Sequence, residues 1–60
     1  CKNILNHIAY KTNKFEIQKN ILINQGYIQL TKVSNSVAFK NKRICFFLSP
    51  LNFIIELIEN

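Results

Sequence analysis

The sequence predicts a small α+β domain: a helix, a short strand, a second helix, a β-hairpin and a C-terminal helix. Two observations carry this prediction. Apolar residues recur at helical spacing in three segments, and the residues after the single glycine, Gly26, alternate between apolar and polar. Sixty residues make one domain, residues 1–60, of a size that buries only about 60% of its unfolded surface. A partner is therefore an expected source of additional stability.

The first element is expected to be helical over residues 2–10. Ile4, Leu5, Ile8 and Ala9 have the spacing of one helical face. The alternative is that this helix runs into a short extended stretch from His7 to Tyr10.

The second helix has the clearest local signals. Asn13 is a good N-cap residue and Glu16 lies three positions later, as in a capping box. The helix is expected to run from Lys14 to about Gln25, and Gly26 suits the left-handed residue that follows a helix. Its core positions are predicted to be Phe15, Ile17, Ile21 and Leu22, with Ile28 beyond its end.

A β-hairpin is predicted next. Residues 27–33 alternate, with Ile28 and Leu30 on one side of a half-buried strand and Tyr27, Gln29 and Thr31 on the other. Residues 34–36, Ser-Asn-Ser, have the composition of a turn. Residues 37–39 form a second short strand, and residues 43–48 form a third strand or continue the second.

The last element is predicted to be a helix over residues 49–60. Ser49 is a good N-cap and Pro50 suits the first helical position. Leu51, Ile54, Ile55 and Ile58 then fall on one helical stripe. An extended segment is the alternative, because isoleucine and phenylalanine also favour strands.

Composition points to a coding source and to a class of partner. Twenty-six of the sixty residues are Ile, Asn or Lys, whose codons consist almost wholly of A and T. This bias is typical of AT-rich genomes, of which organellar genomes are the commonest. Eight basic residues against three acidic ones give a net charge of +5, which favours nucleic acid or an anionic surface as partner. No apolar run approaches the ~20 residues needed to span a bilayer.

Catalytic and metal-binding residue patterns are lacking in the sequence. His7 is the only histidine, there is no aspartate, and Glu16 is accounted for by helix capping. Cys1, His7 and Cys45 do not have the spacing of metal ligands. A Cys1–Cys45 disulfide is disfavoured, and two reduced thiols with Cys45 in the core are expected. The sequence therefore predicts no enzyme, no cofactor, no metal and no small-molecule substrate.

The candidate binding residues are basic and fall into two clusters. Lys11 and Lys14 flank the start of the capped helix, where free N–H groups and the helix dipole favour a phosphate. Lys40, Lys42 and Arg43 lie near a hairpin bend, where a loop can follow a sugar–phosphate backbone. The alternative is a solvated charged rim.

A family resemblance agrees with these residues. Asn13-Lys14-Phe15, the Ile-Leu-rich helix and Gly26-Tyr27-Ile28 resemble the amino-terminal domain of the eighth protein of the small ribosomal subunit. In that family a Ser-Lys-Leu helix start and a Gly-Tyr-Ile helix end are followed by a strand and a return strand. The resemblance covers about residues 4–48. It places residues 8–12 on a short strand before the helix and residues 43–48 on the return strand.

The resemblance implies a structural protein that binds ribosomal RNA and neighbouring ribosomal proteins. Nothing in the sequence matches the family's second domain, so the resemblance implies an amino-terminal domain alone, either from a reduced or fragmented organellar protein or from part of a longer chain. Residues 49–60 would then be a lineage-specific replacement. With the AT-coded composition, this implies the small subunit of an organellar ribosome, mitochondrial first and plastid second. Lys11, Lys14, Lys40, Lys42 and Arg43 would neutralise phosphates.

Two other functions remain open. The first is a winged-helix DNA-binding module, with bases read by Asn13, Lys14, Gln18 and Asn24 and a wing at residues 34–43. The second is a small protein–protein subunit that docks through its apolar last helix, with Ile54 and Ile55 at the contact.

Overall fold

The described part of the chain is a single five-stranded mixed sheet with one α-helix on it. A computed structural model describes residues 6–60. Its elements, in chain order, are β1 (His7–Thr12), α1 (Phe15–Asn24), β2 (Ile28–Gln29), β3 (Ser34–Ser36), a 3₁₀ turn (Val37–Phe39), β4 (Lys42–Leu48) and β5 (Ile54–Glu59). The predicted order of helix, strand, helix, hairpin and C-terminal helix is therefore wrong.

The sheet has β5 near its middle. The strand order is β1-β5-β4-β2, and β3 also pairs with β4. β1 runs parallel to β5, whereas β4 runs antiparallel to β5, β2 and β3. Directly paired residues share a face of a sheet, so Cys45 and Leu57, and likewise Phe47 and Ile55, lie on one side.

We call that side the helix-covered face, because α1 packs on it. Phe15 and Leu22 of α1 form a buried cluster with three sheet residues, Cys45, Phe47 and Leu57. The three sheet residues are completely inaccessible to solvent. Complete burial of a side chain such as that of Phe47 or Leu57 contributes about 1.5–3 kcal/mol, so this cluster is the main source of stability.

The opposite side carries Ala9 and Lys11 of β1, Glu56 of β5, and Phe46 of β4, among others. We call it the open face. Within residues 6–60 no α-helix lies on it, and only the 3₁₀ turn approaches it, next to Ile58.

The predicted helix over residues 14–25 is present as α1, but its ends differ in how well they were predicted. The Asn13 capping box is wrong: the N-cap residue is Lys14, it has no side-chain cap, and its N–H donates to Thr12 Oγ1 at 3.0 Å. The C-terminal end is confirmed. Gly26 has φ +92°, its N–H donates to Ile23 O, and the Tyr27 N–H donates to Leu22 O. These two bonds make a Schellman motif.

The core face of α1 also differs from the prediction. Phe15 and Leu22 are buried, but Ile17 and Ile21 are 58% and 40% exposed. The sheet-facing stripe instead includes Gln18 and Lys19, both half-buried. A helix on a small sheet contacts it through a narrow stripe, so the outer isoleucines reach solvent.

The predicted C-terminal helix is a strand, β5, which corrects the prediction for residues 49–60. Ser49 and Pro50 open a β-turn instead: Asn52 N–H donates to Ser49 O at 2.9 Å, and Leu51 N–H donates to Ser49 Oγ. Asn52 then takes a left-handed conformation, φ +66°, which stops any helix. A strand in the middle of a sheet can be apolar on both faces, so its sequence is a continuous apolar run. Such a run also contains apolar residues at helical spacing.

The predicted first helix is wrong where it can be compared. Residues 7–12 form β1, which agrees with the extended alternative and lengthens it to Thr12. The positions Ile4 and Leu5, on which the helical spacing depended, lie outside the described residues. β1 forms because β5 offers it a complete parallel partner from Ile54 to Glu59.

The hairpin is partly as predicted. β4 matches the predicted third strand. The first strand is confined to Ile28–Gln29, the predicted turn at residues 34–36 is β3, and residues 37–39 are a 3₁₀ turn. Ile28 is 60% exposed, not half-buried, because it lies on the open face.

Cys45 is a free, buried thiol, as expected for a core residue. The ten-residue α1 is too short to cross a bilayer, and no other helix of residues 6–60 is long and apolar enough to do so.

Candidate nucleic-acid interface

Three lysines from separate parts of the chain surround one half-open cavity of about 290 Å³ on the open face. Lys11 comes from β1, Lys40 follows the 3₁₀ turn, and Lys42 begins β4. We call this the lysine cavity. Phe39 and Ile58 give it an apolar lining, and Asn60 adds a polar side chain.

The position of Lys11 depends on the parallel pairing of β1 with β5. Lys11 pairs with Ile58, so both side chains lie on the open face. The Asn60 N–H donates to Thr12 O at 2.7 Å, which fixes Asn60 beside the end of β1. The Lys11 Nζ lies 6.0 Å from the centroid of the Phe39 ring, at the limit of a cation–π contact. The Lys11 side chain therefore extends toward the ring that lines the cavity.

The position of Lys40 depends on a tight reversal before β4. Lys40 and Asn41 have φ of +56° and +61°, a conformation that asparagine tolerates and lysine rarely adopts. Three hydrogen bonds hold the reversal: Lys40 N–H to Val37 O, Asn41 N–H to Ser36 O, and Asn35 Nδ2 to Asn41 O. Because the backbone is locked in this way, Lys40 projects from a defined point of the cavity rim.

The three glutamate carboxylates are all engaged by side chains other than the cavity lysines. Glu56 lies 3.0 Å from His7 Nε2, Glu16 pairs with Lys19 and Arg43, and Glu59 pairs with Arg43. Glu59 borders the lysine cavity, but its charge is matched by that guanidinium. Within residues 6–60, none of the three cavity lysines is within ion-pair distance of a carboxylate. The cavity therefore carries excess positive charge.

Arg43 lies on the other side of the sheet and is used inside the domain. Its Nη2 lies 3.1 Å from Glu59 Oε2, its Nη1 lies 3.0 Å from Glu16 Oε2, and its guanidinium carbon is 4.9 Å from the centroid of Phe15. The hydrogen bonds to Glu59 raise the pKa of Arg43 and lower the pKa of Glu59. Arg43 therefore connects β4 to β5 and to the first turn of α1.

Lys14 is separate from the cavity lysines. It is the N-cap residue of α1 and does not line the cavity. The negative charge that a helix start attracts is supplied by Glu16 in the first turn, which is already bound to Arg43. The two predicted clusters are therefore rearranged: Lys11 joins Lys40 and Lys42, while Lys14 and Arg43 stay apart from them.

Sequence reasoning did not single out Phe39 and Asn60. Phe39 follows an apolar pair and reads as a strand residue, and Asn60 follows a segment read as helix. Their place in the cavity depends on β5 being a strand beside β1, and no local pattern indicates that pairing.

The Cys45 thiol lies in the core, away from the lysine cavity. Burial raises the pKa of the Cys45 thiol, which donates to Thr31 O at 3.2 Å. A neutral, enclosed thiol is a poor nucleophile. No group of three or more His, Cys, Asp or Glu side chains within residues 6–60 could hold a metal ion. The arrangement that remains is suited to binding an anion.

Comparisons with known proteins add no relative: no protein-family model matches the chain, and a search of curated proteins gives no match.

Proposed function

We propose that this chain is a structural, non-catalytic RNA-binding protein of the small subunit of an organellar ribosome, mitochondrial in the first instance. The lysine cavity supports the proposal most directly. Lys11, Lys40 and Lys42 converge on one half-open surface, while Glu59 at its border is paired with Arg43 and the other two glutamates are paired away from it. Unpaired lysines at fixed points neutralise phosphates and release counterions, which is the main sequence-independent source of affinity for nucleic acid.

Two further observations point to a ribosomal setting. The run from Asn13 to Ile28 resembles the eighth protein of the small ribosomal subunit, and twenty-six residues are Ile, Asn or Lys. A 60-residue domain with several exposed isoleucines is the kind of chain that a large assembly stabilises, by ribosomal RNA on one side and neighbouring ribosomal proteins on another.

The alternatives have less support. A winged-helix reader needs Gln18 presented to DNA, whereas Gln18 is half-buried on the stripe of α1 that faces the sheet. A subunit that docks through a terminal helix loses its basis, because Ile54 and Ile55 belong to β5 inside the sheet.

The test compares two double variants with the same change in charge. Lys11→Gln/Lys42→Gln removes two cavity lysines, and Lys14→Gln/Lys32→Gln removes two lysines outside the cavity. Affinity for a short RNA hairpin from the small-subunit ribosomal RNA is measured by fluorescence anisotropy over a range of salt concentrations. A plot of log K against log salt falls with increasing salt, and the cavity variant is expected to make this fall less steep by about 1.4–1.8. Each neutralised phosphate accounts for about 0.7–0.9 of the steepness.

The control variant is expected to change the slope much less. Equal losses of affinity in the two variants would mean that charge acts diffusely and that the cavity is not the site. If the wild-type chain does not bind the hairpin at moderate salt, the proposed function is wrong. In cells, the tagged chain is expected to co-sediment with the small ribosomal subunit of the organelle.

A further inference from the structure

The open face carries an aromatic surface directly beside the lysine cavity. Phe46 of β4 is half-buried, and the His7 ring of β1 lies against it, with ring centroids 5.7 Å apart and planes inclined at 54°. Leu30 extends this surface: its N–H donates to Phe46 O at 2.8 Å, and its side chain is 47% exposed. The α-helix of residues 6–60, α1, packs on the opposite side of the sheet from these side chains.

The sheet register sets the spacing between the two features. Phe46 pairs with Glu56, two residues before Ile58 on β5, and Ile58 lines the cavity. Phe46 and Ile58 are therefore diagonal neighbours on β4 and β5, about 7–8 Å apart. Lys11 lies on the far side of β5 and reaches the cavity with its side chain. A nucleotide places an anionic phosphate and a flat base at a comparable separation, because one sugar joins them.

Glu56 determines which part of a nucleotide fits the aromatic surface. Its carboxylate lies beside Phe46 on the open face, bonded to His7 Nε2 at 3.0 Å. A negative charge there disfavours a phosphate, whereas carboxylate oxygens accept hydrogen bonds from the amino groups of bases. The charges therefore orient the ligand: phosphate toward Lys11, Lys40 and Lys42, and base toward Phe46 and His7.

We propose that the open face binds an unpaired RNA nucleotide, with its phosphate in the lysine cavity and its base stacked on Phe46 beside His7. Unpaired bases in loops and bulges are commonly held in this way, by stacking on aromatic side chains. The inference rests on the proposed function and makes it more specific, because it distinguishes RNA that carries a bulged nucleotide from a perfect duplex.

The experiment uses two RNA hairpins that differ only by one bulged 2-aminopurine. The wild-type chain is expected to bind the bulged hairpin about tenfold more tightly, the order of magnitude of one stacked base. Binding is also expected to quench the 2-aminopurine fluorescence, because the base stacks on an aromatic ring. Equal affinity for the two hairpins, without quenching, would overturn the inference.

Variants at Phe46 separate stacking from charge. Phe46→Leu keeps an apolar side chain and is expected to remove the preference for the bulge while leaving affinity for the perfect hairpin unchanged. Phe46→Tyr is expected to keep the preference. Phe53→Leu is the matched control: Phe53 is also half-buried, but it lies edge-on to Tyr27, 6.3 Å away between centroids, on the helix-covered face.

The results distinguish the two proposals. If the cavity lysines govern binding but the bulge gives no preference, the RNA-binding function stands and the stacking inference fails. If neither hairpin binds, both fail. If the wild-type chain self-associates through Leu30, so that Leu30→Lys abolishes a concentration-dependent dimer, protein occupies the open face and the stacking inference is overturned.

Discussion

The two faces of the sheet use the same residue types for different purposes. On the helix-covered face, Phe47 is inaccessible to solvent and Arg43 is held by Glu16 and Glu59. On the open face, the preceding residues, Phe46 and Lys42, are more exposed, and Lys42 has no carboxylate within ion-pair distance among residues 6–60. Because strand residues alternate in direction, neighbours in sequence take opposite roles. In these two pairs of neighbours, the side of the strand, and not the residue type, separates the stabilising residue from the candidate ligand.

The largest difference is expected between the losses of folding stability that alanine causes at Phe47 and at Phe46. Phe47→Ala removes a fully buried ring and should cost about 3–5 kcal/mol, a large share of the roughly 3–9 kcal/mol that sixty residues provide. Phe46→Ala should cost about 1–2 kcal/mol, since its ring is only half-buried. Urea unfolding followed by circular dichroism measures both. Similar losses of stability for the two variants would mean that something covers the open face.

Lys42 and Arg43 are expected to differ in whether their substitution affects RNA affinity or folding stability. Each can be changed to glutamine with the same loss of charge. Lys42→Gln should weaken RNA binding several-fold and reduce the salt slope by about 0.7–0.9 without lowering stability. Arg43→Gln should lower the urea midpoint, because it removes the guanidinium that pairs with Glu59 and Glu16, and should change RNA affinity less. Anisotropy and urea unfolding are measured on both variants. If Arg43→Gln weakened RNA binding more than Lys42→Gln did, the binding surface would lie on the helix-covered face.

Lys40 allows binding and stability to be changed in opposite directions. Lys40→Gly relieves the left-handed backbone at this position and should stabilise the fold by up to about 1 kcal/mol. It should also weaken RNA binding, because a cavity charge is removed. Lys40→Asn serves as control, since asparagine tolerates the conformation and also lacks the charge. If Lys40→Gly kept full affinity for RNA, Lys40 would not be a phosphate ligand.

The smallest expected effect is the loss of folding stability at acidic pH that comes from the Glu59–Arg43 pair. Arg43 lowers the pKa of Glu59 below its ordinary value of 4.5 in the folded state, so the unfolded chain binds this proton first. The contribution of the pair is present above pH 4.5 and is lost as the pH falls through the lowered pKa. Urea midpoints measured between neutral and acid pH should therefore fall more steeply for wild type than for Glu59→Gln. Parallel curves would show that the pair does not contribute.

The parts of the fold that could be predicted are those whose signals are local. α1 and its end at Gly26 follow from helical spacing and from a residue that adopts positive φ readily. β4 follows from a compact apolar run. β5 could not be recognised in the same way, because Ser49-Pro50 begins a β-turn as well as it begins a helix, and a buried strand lacks alternation.

The candidate site shows the same limit. Lys40 and Lys42 are close in sequence, so their grouping could be predicted. Lys11 joins them only through the parallel pairing of β1 with β5. Proximity in sequence predicts that Arg43 acts with Lys42, but the alternation of β4 turns Arg43 toward Glu59. Charge counted along a chain does not distinguish a paired guanidinium from an unpaired ammonium.

The pairing of β1 with β5 also has a consequence for how the chain is made. His7 to Thr12 are synthesised well before their partners, Ile54 to Glu59. Such distant pairing delays folding. Lys11 cannot take its place at the cavity until β5 has emerged from the ribosome, and Asn60 then completes the wall. A product of translation interrupted before β5 would carry all eight basic residues but not the assembled cavity, so the three lysines are presented together only after that strand has been added.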